Sequence, residues 1–258
     1  MKIATFNING VKARAEVLGR WLDESAPDIA LLQEIKSIDE AFPREIAESR
    51  GYHLETHGQK GFNGVAILSR LPLVDVARRL PGDETDEQAR WIEATIGGTR
   101  LRVCGLYLPN GNPAPGPKFD YKLAWMARMK ARVQALLAEE RPLVLAGDYN
   151  VIPQPVDAAR PEAWVDDALF RPESRAAFRR LEALGLYDAV RLRHPEPGIY
   201  SYWDYQAGAW ARNDGIRIDH LLLSPQAADR LRDAWVETAP RAWEKPSDHT
   251  PVWIDLDL

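Results

Sequence analysis

Cysteine is almost missing: Cys104 is the only one in 258 residues. That excludes an intrachain disulfide and a zinc site built on cysteines, and it fits a cytoplasmic protein, because disulfides accumulate in oxidising compartments. No apolar run approaches the ~20 residues that a membrane helix needs. The first strand-like stretch already holds Asn7 and Asn9, where a secretory signal would want an unbroken apolar core. Basic charge is not in excess, since 33 Lys and Arg against 38 Asp and Glu leave a formal charge of −5. That sign does not advertise a nucleic-acid binder, whose affinity usually rests on neutralising phosphates. A carboxylate cluster around a cation is locally neutralised, however, and basic residues can gather beside it. Also missing are a low-complexity tract, a short tandem repeat and a Gly-rich phosphate loop of the Walker or dinucleotide type. There is no Gly-x-Ser-x-Gly elbow for acyl transfer and no His-Glu-x-x-His zinc helix.

What remains is the composition of an ordinary soluble globule, 45% hydrophobic and 28% charged. The length fits one large domain spanning 1–258. Strand-like runs recur at 2–8, 28–33, 64–69, 91–96, 101–107, 142–147, 218–223 and 252–257. Val11, Ala15, Leu18 and Leu22 form one helical stripe. Phe119, Leu123, Met126, Val133 and Leu137 form another, with Lys122, Arg128 and Lys130 mostly on other faces. A third helical stretch, 174–184, stops at Gly185. The Pro- and Gly-rich run 109–117 must be a loop, and 153–172 is irregular. Many strands with few interspersed helices predict a layered α/β (α+β) protein with two packed, mixed sheets.

The informative pattern is where the strands stop. Strand 2–8 carries Asn7, and the apolar run 29–32 ends in Gln33-Glu34. Strand 101–107 ends in Tyr107, and 143–146 runs into Gly147-Asp148-Tyr149-Asn150. Arg217-Ile218-Asp219 heads Leu221-Leu222-Leu223, and Ser247-Asp248-His249 precedes the last strand. Burying such groups singly is costly, so six such events predict one polar site at one edge of the sheets. Glu34 with Asp and Asn side chains offers hard oxygen ligands suited to magnesium or manganese. A carboxylate beside them can deprotonate water. Metal-assisted attack of water on a phosphate ester uses these parts best.

These segments, with Gly64-Val65-Ala66-Ile67 and Tyr107-Leu108-Pro109-Asn110-Gly111, resemble the motif series of the endonuclease/exonuclease/phosphatase superfamily. Within it, the chain resembles the branch of exonuclease III and the apurinic/apyrimidinic endonucleases, from residue 2 to about 255 and in order. The resemblance implies a four-layer α/β/β/α sandwich, with two mainly antiparallel sheets flanked by helices and related as pseudo-two-fold halves. It implies a Mg2+ cofactor, with Mn2+ as substitute, held by Glu34 with Asn7, Asp148, Asn150, Asp248 and His249. Asp148 is the expected base and Asn150 orients water or stabilises charge; His249 contacts the phosphate, and Tyr107 donates to it or assists as phenolate. Either Asp219 or Asp248 pairs with the imidazole.

The implied activities are cleavage 5′ to abasic sites, 3′-to-5′ removal of nucleotides from duplex ends and trimming of blocked 3′ ends, in base-excision repair. The implied partner is double-stranded DNA with abasic sites or 3′ ends; no membrane is implied and nothing points beyond a monomer. Lys12, Arg14, Lys60, Asn63, Arg90, Asn110, Lys118 and Lys122 are candidates for a rim that holds the DNA backbone. The aromatic run 200–205 would shape an apolar pocket for a flipped abasic sugar, with Tyr202, Ile216 and Ile218 as its residues. Read without the resemblance, Asp-x-Asn is equally a local turn, and Tyr107 a half-buried strand tyrosine. Two rival functions remain: a phosphoinositide or sphingomyelin phosphodiesterase of the same superfamily, and a non-catalytic DNA-binding protein on this scaffold.

Overall fold

In the computed structural model, which describes residues 1–258, two six-stranded sheets face each other and helices cover their outer sides. The strands are β1 (Lys2–Asn7), β2 (Ile29–Gln33), β3 (His53–His57), β4 (Val65–Ser69), β5 (Leu73–Arg78) and β6 (Trp91–Ile96), then β7 (Arg102–Tyr107), β8 (Leu143–Asp148), β9 (Tyr187–Asp188), β10 (Asp219–Leu223), β11 (Leu231–Val236) and β12 (Val252–Leu256). The helices are α1 (Ala15–Glu24), α2 (Glu45–Glu48), α3 (Pro117–Leu137), α4 (Pro172–Glu182), α5 (Ala189–Arg193) and α6 (Pro225–Ala228). No helix is long and apolar enough to cross a membrane.

The two sheets have the same plan. One runs β11-β12-β1-β2-β4-β3, the other β5-β6-β7-β8-β10-β9. Each is built on one parallel pair, β1 with β2 and β7 with β8, and every other pairing is antiparallel. The four-layer, two-fold plan expected from the sequence is therefore the one observed.

Strand alternation sorts the core. Ile3, Ile29, Leu31, Val65 and Ile67 of one sheet meet Ile92, Val103, Val144, Ala146, Leu221 and Leu223 of the other between the layers. The opposite faces pack on helices. Ala4, Phe6, Ala30 and Leu32 take Val17, Leu18, Trp21 and Leu22 of α1. Cys104, Leu106, Leu143 and Leu145 take Met126, Met129 and Val133 of α3 with Phe178 and Leu181 of α4. Side chains two apart share a face. Asn7, Tyr107, Asp148 and Asp219 therefore extend the columns that point between the sheets, whereas His220 points outward against Tyr149 and Phe178.

All eight strands predicted from the sequence are present within a residue or two. The four that the apolar pattern misses are β3, β5, β9 and β11, the outermost strands of the two sheets. Edge strands carry exposed polar residues and lack a continuous apolar run; β5 has no buried residue at all. One helix face also differs from expectation. Lys122 lies on the inward side of α3 and is fully buried, because its ammonium has carbonyl acceptors there, at Asn110 and Asn150.

Candidate active site

The C-terminal ends of the two parallel pairs deliver the site. Asn7 ends β1, Glu34 follows β2, Tyr107 ends β7 and Asp148 ends β8. Parallel strands need long crossovers, so their ends are where loops and ligand groups gather. Gly147 lets β8 approach β7 closely: a Cβ there would lie 1.9 Å from the Leu106 carbonyl oxygen. The turns leaving these strands are unusual. Asn9, Glu34, Lys36, Asn63 and Asn150 all have φ near +50°, a region that non-glycine residues seldom occupy and that clusters at functional sites.

Asn7 joins the sheets. Its amide nitrogen donates to Glu34 Oε1 and to Asp148 Oδ2, both at 3.0 Å, while its Oδ1 accepts from the Asn9 backbone at 3.0 Å. In this arrangement Asn7 offers its nitrogen to the carboxylates and keeps its oxygen for the backbone, so it orients the ligand set. Glu34 Oε2 takes the Lys36 ammonium at 2.8 Å, and Lys36 also donates to Asn9 Oδ1 at 2.6 Å. Burial would raise the Glu34 carboxyl, but the Asn7 and Lys36 hydrogen bonds outweigh it and hold the group below its ordinary range.

His249 is fixed by Asp219: Nδ1 donates to Oδ2 at 2.8 Å. Of the two candidate partners the structure selects Asp219. Asp248 turns away and accepts from Asn9 Nδ2 at 3.0 Å. Ser201, which the sequence reading did not single out, donates to Asp219 Oδ2 at 2.6 Å. The other face of His249 looks at Asp148, with Nε2 and Oδ2 separated by 3.7 Å, too far for a hydrogen bond yet close for two charges. Burial opposes the charged imidazolium, but Asp219, Asp148 and Asp248 outweigh it and raise the ring to about 10. Burial pushes the Asp148 carboxyl up and His249 pulls it down; with Asp219 and Glu34 pushing up again, it titrates at about 7.

Glu34, Asp148 and His249 each bring a ligand atom within 4.8 Å of the others. Two carboxylates supply the hard oxygens that a divalent ion of the magnesium type prefers. A further buried oxygen, Asp219 Oδ1, has no partner. The donor set fits such an ion.

Other residues sit differently from the sequence reading. Tyr107 is driven well above its ordinary value by burial, then by the charges of Glu34 and Asp148. The direction of that shift favours the phenol, and with it the donor role, over the phenolate. Asn150 is enclosed: its Nδ2 donates to the Leu108 carbonyl at 2.9 Å, and its backbone N–H donates to Asp148 Oδ1 at 2.9 Å. It braces Asp148 and holds Asn110, whose Nδ2 reaches its Oδ1 at 3.3 Å. Lys122 is the larger departure. Its Nζ donates to the Asn110 carbonyl at 3.0 Å and to that of Asn150 at 2.5 Å, so it staples two site loops from beneath and cannot reach solvent. Burial lowers its ammonium to about 7.

Of the proposed rim, Lys12, Lys60, Asn110 and Lys118 are exposed. Asn63 is buried and donates to Gln59. Arg14 is tied to the Tyr205 hydroxyl at 3.1 Å, and Arg90 to the Tyr107 carbonyl at 3.1 Å. In the proposed pocket, Tyr202 lies edge-on to His249, ring centres 4.9 Å apart. Ile216 and Ile218 are 2% exposed each, packed with Ile152, Leu169 and Phe170. Ile216 contributes to the wall of a cavity, whereas Ile218 packs behind it and is not among the lining residues. That cavity, about 430 Å3, is lined by Tyr202, Ile216 and Trp164 among others. Trp164 lies in the irregular 153–172 stretch, where no periodicity flagged it.

The profile of the Endonuclease/Exonuclease/phosphatase family matches residues 4–249. The chain belongs to that family. It is 37% identical to exodeoxyribonuclease III of Haemophilus influenzae over 99% of this chain and 100% of that one. The fold superposes on an AP endonuclease from Archaeoglobus fulgidus with a TM-score of 0.96, at 37% identity and full coverage of both chains. It superposes on a 3′ phosphatase, NExo, from Neisseria bound to product DNA hairpin with a TM-score of 0.97, at 38% identity and again full coverage of both. Membership makes the chain a hydrolase of phosphoesters, with the polar end of the two sheets as its candidate centre.

Proposed function

We propose that the protein is a Mg2+-dependent DNA phosphodiesterase of base-excision repair. It nicks 5′ to abasic sites, removes nucleotides 3′ to 5′ from duplex ends and clears 3′ phosphates. The observation that carries this reading is the meeting of Glu34, Asp148, Asp219 and His249 from both sheets at one buried point, bridged by Asn7. The names of the full-length relatives supply the substrate class.

Glu34 and Asp148 would hold the cation, with the ring of His249 beside them. Bound there, a divalent ion supplies charge neutralisation at the non-bridging phosphate oxygens and eases deprotonation of water. The chain's own groups do the rest. Asp148, aimed into the site by the Asn7 amide and the Asn150 backbone N–H, takes a proton from the attacking water. The water oxygen forms a bond to phosphorus, the bond from phosphorus to the 3′ oxygen breaks, and that oxygen leaves and takes a proton from solvent, while Asp148 later returns its proton to solvent. The imidazolium of His249, held by Asp219, and the phenol of Tyr107 donate to charge developing on the phosphate; one such donor is typically worth about a hundred- to a thousand-fold in rate.

The test is a labelled duplex with one abasic analogue, incubated with Mg2+ and with a chelator. The expected result is a nick 5′ to the lesion and shortening from 3′ ends, both abolished by the chelator. An intact duplex alongside hydrolysis of an inositol phosphate or sphingomyelin would contradict the proposal. So would tight binding of the duplex without hydrolysis.

A further inference from the structure

The most exposed large apolar side chain in the molecule is Phe62, with 71% of its surface open to solvent. It sits in the turn between β3 and β4, Gly58–Gly64. An isolated surface apolar residue needs no explanation, but this one is held out by a built turn. Asp39 Oδ1 accepts from the Gly58 backbone at 2.7 Å, and Gln59 Oε1 accepts from Asn63 Nδ2 at 2.8 Å and from the Ala89 backbone at 3.0 Å. Gly61, Asn63 and Gly64 all take positive φ to make the turn. A Cβ on Gly58 would lie 2.4 Å from the Ser37 carbonyl oxygen, so the turn is pressed against the neighbouring backbone.

The turn is also tied to the catalytic end. The backbone N–H groups of Ile35 and Lys36 donate to the carbonyls of Gly64 and Asn63 at 3.2 and 3.0 Å. Those are the two residues after Glu34, and Lys36 is ion-paired with Glu34 itself. Lys60, two positions before Phe62, is exposed and has no carboxylate partner. The contrast with Tyr205, half exposed near the same end, is instructive: its hydroxyl donates to the Pro246 carbonyl at 2.8 Å and accepts from Arg14 at 3.1 Å. Phe62 has no polar group, so the only part of a nucleic acid it can recognise is a base or sugar face.

We propose that Phe62 is a stacking wedge, an aromatic side chain that packs against a base or base step of the DNA next to the scissile phosphate while Lys60 meets the backbone. The inference rests on the nuclease reading and deepens it, because an enzyme that opens a duplex at a lesion must fill or support the exposed stack. An aromatic ring serves any sequence, since every base has a π-face.

The experiment measures binding by anisotropy to a duplex holding an abasic analogue flanked by 2-aminopurine, in chelator so that the duplex stays intact. Wild type should bind and quench the 2-aminopurine. Phe62→Ala should weaken binding about ten-fold, within the range found for removing one base-stacking side chain, and lose the quench. Phe62→Trp should restore both, and Phe62→Leu should not restore the quench. Equal binding by Phe62→Ala, or full rescue by Leu, would overturn the wedge. So would unchanged DNA binding with lost binding to anionic phospholipid vesicles, which would make the turn a membrane contact. Wild type that cuts no DNA when Mg2+ is added back overturns the nuclease reading itself, whereas wild type that cuts while Phe62→Ala binds normally overturns the wedge alone.

Discussion

Strand β10 serves two buried polar clusters that could hardly be more different. On its outer side and at its head, Arg217 donates to Asp157 at 2.7 Å and to Asp188 at 2.8 Å, and Arg191 joins Asp157 at 3.0 Å. Arg217 Nη1 also donates to His220 Nδ1 at 2.9 Å, and the Nε2–H of that ring meets the Val151 carbonyl at 3.0 Å. Two arginines face two aspartates, and only Arg217 Nη2 is left without a partner. On its inner side, two residues from Arg217, Asp219 enters the candidate active site. There the carboxylates Glu34, Asp148 and Asp219 share Lys36 and one imidazolium, an oxygen is orphaned, and the Asp148 carboxyl titrates far above its usual range. The matched cluster binds loop 153–157 and α5 to the sheet; the unmatched one stores electrostatic mismatch and positive-φ turns. Buried charge stabilises a fold only where it is paired and hydrogen-bonded, and natural proteins break that rule mainly where they work.

The largest expected effect breaks the unmatched side. Asp148→Asn should cut kcat on abasic duplex by about a thousand-fold, in the range found for losing a general base. DNA affinity and melting temperature should stay close to wild type, since the change relieves like charge. Collapse of binding would make Asp148 a structural residue. The matched side should respond the opposite way: Arg217→Met leaves Asp188 buried without its guanidinium and Asp157 with Arg191 alone, and urea unfolding should report a loss of about 3–5 kcal/mol. A loss below about 1 kcal/mol would mean that the network does not brace the fold.

The same cluster predicts a pH signature. Burial, then the charge of Arg217, lowers the His220 ring to about 4, while the unfolded chain takes up a proton near 6.5. The folded state therefore binds fewer protons between those values, and stability falls as pH drops from about 6.5 to about 4. The term amounts to about 3 kcal/mol at 1.36 kcal/mol per unit. His220→Gln should flatten that part of the stability curve, and an unchanged slope would contradict the neutral-ring assignment. The smallest effect concerns the cavity: Tyr202→Ala should reduce abasic cleavage roughly ten-fold more than hydrolysis of a small phosphodiester, about what one aromatic contact supplies. Equal loss on both would place Tyr202 in the general framework.

Most of the fold was legible because the central strands announce themselves. Runs such as Ile29-Ala30-Leu31-Leu32 and Leu143-Val144-Leu145-Ala146 are buried on both faces, and only a strand between two layers needs that. The edges were illegible for the converse reason, as β5 shows with its exposed, polar sequence. The site was legible where a strand ends in a polar residue: Asn7, Glu34, Asp148 and His249 converge as the strand ends suggested. The pairing of His249 with Asp219 was not, because choosing between Asp219 and Asp248 requires the strand parity that points one inward and leaves the other to Asn9. Lys36, Ser201 and the buried Lys122 carry no signal in a single sequence; a lysine at helical spacing reads as solvated until acceptors at Asn110 and Asn150 are placed above it. Phe62 was passed over because sequence patterns reward apolar residues that are buried, and its interest lies in being held exposed.

The central claim is that these side chains form one cation-dependent phosphoester centre. The most direct measurement is an anomalous difference map from crystals of the protein soaked in Mn2+. The account predicts a peak about 2.1 Å from a Glu34 carboxylate oxygen, on the side facing Asp148 and His249, and its loss in crystals of Glu34→Gln. Manganese bound elsewhere, or undiminished at this position in Glu34→Gln, would contradict it.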